Sequence, residues 1–167
     1  MDTSFDIYSD VSNPLDNIEE VMASHDWSFE RPSDDELMVH VAGKHGTYRM
    51  TFLWQEEYSA MQFFCEFDME ISEDRYDMTS KVLRNINENL WLGHFDVPED
   101  SKMPYFRHTT LFRGMTQTSG TDHIADLIEV ALAECEKYYS VFYMLGSQTC
   151  LHDSLLTLAL ADTDGQA

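Results

Sequence analysis

Histidine, cysteine and carboxylate are the side chains able to hold a metal or attack a bond, and in this chain they are spread rather than grouped. The histidines are His25, His40, His45, His94, His108, His123 and His152. None pair at the short spacings that present two imidazoles to one ion, and no Cys-x-x-Cys is present. His40 and His45 flank a glycine-bounded turn and can approach each other, but two imidazoles without a third ligand rarely hold a metal. No metal and no other cofactor is expected.

Nucleophilic catalysis needs a serine or cysteine beside an activating base. No Gly-x-Ser-x-Gly elbow occurs. Cys65 sits among Phe63, Phe64 and Phe67, and Cys135 falls on an apolar helical stripe, so both read as small buried hydrophobes. Nothing near Cys150 in sequence would lower its pKa. Three cysteines at wide spacing form no disulfide framework and fit reduced thiols in a cytoplasmic protein. Glu66, Asp68 and Glu70 share one face of a strand, about 7 Å apart at strand rise. A glycosidase pair would have to converge in a cleft, and a wet sheet face accounts for these three more simply. Gly43-Lys44-His45-Gly46 is too short to cradle phosphate, and neither Gly-x-Gly-x-x-Gly nor a P-loop is present. The chain reads as a non-enzyme with no catalytic residue.

The cluster that stands out is aromatic: Tyr138, Tyr139, Phe142, Tyr143 and Met144. At helical spacing Tyr138 and Phe142 share one face, and Tyr139 and Tyr143 the next. Packing against a sheet explains part of it. So wide a stripe exceeds one core face, and aromatics with Met are enriched where proteins meet. These five residues are the candidate partner surface.

The elements that position them follow from periodicity. Asn13-Pro14 predicts a helix cap followed by proline in the first turn, with Leu15, Ile18 and Met22 on the helix up to about His25. Trp27-Ser28-Phe29 fits a brief strand and Pro32-Ser33-Asp34-Asp35 a turn. Three alternating stretches predict strands: Leu37/Val39/Val41, then Tyr48/Met50/Phe52/Trp54, then Met61/Phe63/Cys65/Phe67/Met69. Gln62, Glu66, Asp68 and Glu70 make the opposite face of the third one polar, as in an antiparallel sheet wet on one side. A second helix is predicted from about Asp74 to Leu90, with Gly93 as its stop. Strands around Phe95–Val97 and Met103–Phe112 come next. In the second of these, Tyr105/Arg107/Leu111 and Phe106/His108/Phe112 are both possible inner sets. Ser119-x-x-Asp122 suggests a capping box. A third helix carries Ile124, Leu127, Ile128, Ala131 and Cys135 on through the aromatic cluster to Gly146, and residues 151–160 fit a short terminal helix. The expected class is α+β, a two-layer sandwich on an antiparallel sheet in the order α-β-β-β-α-β-β-α. Its domain would span 13–160, with a loose acidic segment 1–12 and frayed residues 161–167.

Charge narrows the partners. There are 31 acids against 10 bases, a net charge of −21, and residues 1–36 alone hold eleven acids beside the single base Arg31. Such a field repels phosphate backbones and anionic lipid, so neither direct nucleic-acid binding nor membrane binding is expected. The longest apolar runs fall well short of the roughly 20 residues that span a bilayer. No secretory signal is read at the N-terminus, which lacks a basic region and an apolar run.

Element order and several local stretches resemble the YbjN family of bacterial sensory transduction regulators. The N-terminal helix leads into a hairpin around Leu37–Phe52. Arg84-Asn85-Ile86-Asn87-Glu88-Asn89-Leu90 precedes Gly93-His94-Phe95, like that family's helix-to-strand junction, and Tyr138-Tyr139 followed by Phe142 is similar to its aromatic C-terminal segment. The likeness spans roughly residues 14–160. It implies a fold like that of the type III secretion chaperones, which are acidic, dimeric and peptide-binding, and it brings no catalytic residue.

Three functions remain open. The leading one is a non-catalytic, protein-binding or chaperone-like regulatory module of the bacterial cytosol. The others are a small-molecule sensor or enzyme with a pocket of no known motif, and an acidic decoy for a basic nucleic-acid-binding protein. The protein partner is unspecified. A homodimer is expected, because Phe64 and Leu53 fall among the polar positions of the outward sheet face and symmetric pairs are the commonest assembly.

Overall fold

The computed structural model describes residues 13–147 and 159–161. Helix α1 (Leu15–Ser24) is followed by strands β1 (Phe29–Ser33), β2 (Glu36–Ala42), β3 (Thr47–Gln55) and β4 (Ala60–Phe67), helix α2 (Tyr76–Glu88), strands β5 (His94–Asp96) and β6 (Tyr105–Leu111), and helix α3 (Gln117–Gly146). The strands form one antiparallel sheet in the order β1-β2-β3-β4-β6-β5. The class is α+β, as the sequence indicates, with one strand more than expected. The stretch from Phe29 to Ser33 pairs with β2, so Pro32 lies inside an edge strand and the turn shrinks to Asp34-Asp35. An edge strand tolerates proline because half its N–H groups face away from the ladder.

Alternation decides the faces. Leu37, Val39 and Val41 on β2, Tyr48, Met50, Phe52 and Trp54 on β3, and Met61, Phe63, Cys65 and Phe67 on β4 are all buried. In β6 the inner set is Phe106, His108 and Thr110, with Phe112 just beyond, and Tyr105, Arg107 and Leu111 point outward. The helices cover the inner face: Leu15, Ile18, Val21 and Met22 of α1, Thr79, Val82 and Ile86 of α2, and Ile124, Leu127, Ile128, Ala131 and Cys135 of α3 are buried. The inner apolar residues join in one continuous core, against which Ala159 and Leu160 also pack. Residues 159–161 are helical. The expected loose terminus 1–12, the rest of the terminal helix, Cys150, His152 and the frayed 162–167 lie outside the described residues.

Local chemistry sets the helix ends. The Asn13 side chain accepts the Leu15 N–H at 3.0 Å across Pro14, whose φ of −66° already suits a first turn. The cap of α3 is Thr116, not Ser119. Thr116 accepts the Ser119 N–H at 3.1 Å, and Ser119 Oγ accepts the Thr116 N–H at 3.0 Å in return.

The junction between α2 and β5 rests on two residues. Asn87 accepts the Phe95 N–H at 2.8 Å and donates to the Phe95 carbonyl at 3.0 Å, pinning the short strand to the helix. Gly93 has φ +66°, and a β-carbon there would collide with the Phe106 ring and come within 2.9 Å of the Arg107 carbonyl. Both the left-handed backbone and the contact demand glycine.

Candidate functional site on the aromatic end of the long helix

The five candidate residues divide between core and surface. Tyr138 and Phe142 are buried. Tyr138 meets Phe95 edge-on at 5.7 Å, and Phe142 packs on Phe67 at 4.9 Å and on Phe95 at 5.4 Å. They belong to the core, which corrects their assignment to a partner surface. Tyr139 and Met144 are half-buried, and Tyr143 is 59% exposed. The surface available at this end of α3 is therefore Tyr139, Tyr143 and Met144.

A fourth residue joins them from the β2–β3 turn. His45, Tyr139 and Tyr143 form a row of nearly parallel rings, with centroids 6.1 and 6.2 Å apart and planes within 23°. The turn can approach the helix so closely because its two ends are glycine. A β-carbon on Gly43 would run into the Glu136 carboxylate, and one on Gly46 into the Tyr139 ring. Glu136 fastens the contact by accepting the His45 N–H at 2.8 Å. The Tyr48 hydroxyl lies buried beside Glu136. Burial first, and then that carboxylate, push its pKa well above the ordinary tyrosine value and keep the phenol neutral. Helical spacing could reveal the tyrosines, but nothing local in the sequence marks His45 as part of the row.

The helix end is held from below. Arg75 donates to the Met144 carbonyl, and the Ser72 N–H donates to the Leu145 carbonyl at 3.3 Å. Gly146 lies against the Glu70 backbone, where a β-carbon would come within 2.6 Å of the carbonyl oxygen. Tyr143 and Met144 thus stand on an anchored support.

The other candidates stay apart. His40 lies exposed on the outer sheet face opposite Arg49, and His45 stacks on α3, so this pair does not converge. A different pair does approach. His108 and His123 have ring centroids 6.5 Å apart, and His123 Nε2 is hydrogen-bonded to Thr110 at 2.8 Å. Burial, followed by His123 and His94, lowers the His108 pKa below the usual histidine value. Among the described residues no group of three or more His, Cys, Asp or Glu is placed to hold a metal. Cys65 and Cys135 are both buried where β4 meets α3, and burial pushes the Cys135 thiol up, away from a reactive thiolate. Glu66 is paired with Arg49 at the edge of a hollow of about 140 Å³ that His40, Asp68 and Met103 also line. That is small beside the roughly 300–1,000 Å³ of ordinary ligand pockets. No described helix is long and apolar enough to cross a membrane.

Comparison with known proteins agrees with this architecture. A solved structure described as "Crystal structure of YbjN, a putative transcription regulator from E. coli" is similar at 13% sequence identity and a TM-score of 0.50. The match covers 75% of this chain and 93% of that one, and at this identity it speaks to the fold alone. No curated protein matches the chain. The model of the YbjN family, described as "Putative bacterial sensory transduction regulator", matches residues 14–144. That span takes in both the α2–β5 junction held by Asn87 and Gly93 and the aromatic end of α3, and the chain belongs to the YbjN family.

Proposed function

We propose that the protein is a non-catalytic regulatory module of the bacterial cytoplasm that binds a protein partner through His45, Tyr139, Tyr143 and Met144. The carrying observation is the aromatic row itself: three nearly parallel rings from two elements, ending in a largely exposed tyrosine on a fixed helix end. A tyrosine presented this way offers apolar area and a hydroxyl at little entropic cost, which suits an anchor for a protein chain. The net charge of −21 favours a partner, or a segment of one, that carries basic residues beside its apolar contact. The family's description as a sensory transduction regulator is consistent with a binding role.

The test places a photo-crosslinking aromatic residue at position 143 and, as a control, at Ser80 on the exposed side of α2. Cells expressing each variant are irradiated and the adducts identified. A discrete protein adduct from position 143, absent from position 80 and lost on Tyr139→Ala, is expected. Equal labelling at both positions would count against the proposal. So would a small molecule bound at the Arg49–Glu66 hollow with no protein adduct, which would favour a sensor instead.

A further inference from the structure

The seam between β6 and the first turns of α3 gathers histidines from three elements. His94 comes from β5, His108 from β6 and His123 from α3. The His108 and His123 rings lie 6.5 Å apart, and His123 Nε2 is hydrogen-bonded at 2.8 Å to the hydroxyl of Thr110, which is buried. His123 also meets the Phe112 ring edge-on at 6.1 Å. His108 and His123 therefore stand in the joint itself, between the strand and the helix that covers it, with His94 beside them.

Nothing around them is placed to receive a positive charge. The ionisable groups that act on His108 are His123 and His94, both able to become cations, and no carboxylate is among them. On β4 the residue opposite is Phe63. The residues that α1 and α2 bury toward the sheet are Leu15, Ile18, Val21 and Met22, and Thr79, Val82 and Ile86, none of them charged. Arg107 points to the other face of the sheet, over Phe64. Asp122 and Asp126 are exposed on α3, and among the described residues neither forms an ion pair with a histidine. Neutral imidazoles suit such a seam, whereas imidazoliums would repel one another across it. Burial first, and then His123 and His94, accordingly make His108 harder to protonate than an ordinary histidine.

The hold on α3 is uneven along its length. From Gln117 to Asp126 only Gly120 and Ile124 are buried. From Leu127 onward the helix buries Ile128, Ala131, Cys135, Tyr138 and Phe142 among others, and Arg75 and Ser72 fasten its end. Outside the Thr116–Ser119 cap, the first turns are tied down by Gln117 to Asn17 at 2.9 Å and by His123 to Thr110. A helix end held this lightly can open on its own, at a fraction of the cost of global unfolding.

We infer that His94, His108 and His123 form a pH-sensitive latch, which holds the first turns of α3 on β6 while its imidazoles are neutral and releases them as they take up protons. In the open state the imidazoles meet water and regain an ordinary proton affinity. Closure is therefore complete above about pH 6.5 and weakens as the pH falls below it. Opening uncovers Phe112 and Ile124, so a drop in pH is converted into exposed apolar surface. The latch does not rest on the aromatic row, which lies at the other, anchored end of α3.

Amide hydrogen exchange of the full chain, corrected for the intrinsic pH dependence of exchange, tests it. Between about pH 7.5 and 5.5 the protection of residues 117–126 should fall about threefold or more, while that of residues 134–144 stays level. His108→Gln should remove most of that fall, with an unchanged circular-dichroism spectrum at about pH 7.5. His123→Gln is the second variant should His108→Gln fail to fold. His25→Gln, at the exposed end of α1, should leave the response intact. Protection of 117–126 that does not change with pH overturns the inference. So does an equal fall in both segments, which is ordinary acid destabilisation, or a fall that persists in both seam variants. A failed latch with intact crosslinking from position 143 would leave the partner surface standing.

Discussion

Replacing a helix glycine by alanine ordinarily stabilises a protein, and at Gly146 the structure requires the opposite. The favourable contribution is at most about 0.5–1 kcal/mol for an interior position, and less here because Gly146 is the last residue of α3. Against it stands the new methyl group, 2.6 Å from the Glu70 carbonyl oxygen. That atom is backbone, and the segment carrying it is fixed to the helix by Ser72 and Arg75, so it cannot swing aside as a side chain would. Overpacking of this kind costs about 1–3 kcal/mol. The expected net effect of Gly146→Ala is a loss of about 1–2 kcal/mol, or a drop in Tm of about 2–4 °C per kcal/mol for a chain of this size. Gly120 supplies the control within the same helix. Its β-carbon would meet only the Phe112 ring, at 3.2 Å, and a ring can tilt. Gly120→Ala should stay within about 0.5 kcal/mol of the parent. Urea unfolding followed by circular dichroism measures both. If Gly146→Ala equals or exceeds the parent in stability, the 70–75 segment is not the rigid support described above, and the anchoring of Tyr143 and Met144 fails with it.

Phe63→Ala, which leaves a hole against Phe52 and Phe106, and Ile128→Ala should each cost about 3–5 kcal/mol or somewhat less in urea unfolding; parent-like stability of either would contradict the inner-face assignment. Asn87→Ala strands the N–H and carbonyl of Phe95 and should cost about 1–3 kcal/mol, with faster amide exchange at Phe95 as the local signature. His108 has a folded-state pKa below its ordinary value of 6.5, so the unfolded chain takes up that proton more readily. Its contribution is complete above about pH 6.5 and is lost as pH falls toward the folded pKa. His108→Gln should therefore flatten the acid side of the stability profile, and an unchanged slope between about pH 7.5 and 5.5 would refute the assignment.

The sheet was legible because its strands obey a local rule. In β2, β3 and β4 every second residue is buried, and that period is written in the sequence itself. The edge strand was less legible. Phe29–Ser33 has no buried residue to mark a face, and its proline imitates a turn. The start of α3 was misread by three residues because Ser119 makes its hydrogen bonds as the third residue of the helix, reaching back to Thr116. The aromatic cluster shows where periodicity ends. Tyr138 and Phe142 are core because β4 and β5, from elsewhere in the chain, supply Phe67 and Phe95 opposite them. Tyr139 is half-covered because the β2–β3 turn is fastened to α3 by the His45–Glu136 hydrogen bond, across 91 residues of sequence. The approach of His108 and His123 likewise depends on α3 crossing β6, a tertiary event with no local trace.

The strand order carries a consequence for the chain as it is made. Strands β1 to β4 form a meander, each paired with the one just synthesised across a turn of two to four residues. These contacts close small loops and form early. The next partner of β4 is β6, which cannot arrive until α2 and β5 have been made, and α3, whose Cys135 lies beside Cys65 and whose Phe142 packs on Phe67, comes later still. A nascent chain ending near Phe67 is thus a four-stranded ribbon with only α1 to cover its inner face and β4 as a bare apolar edge. That interval of translation, before Tyr105 leaves the ribosome, is when this protein is most prone to aggregate and when a chaperone would have most to hold.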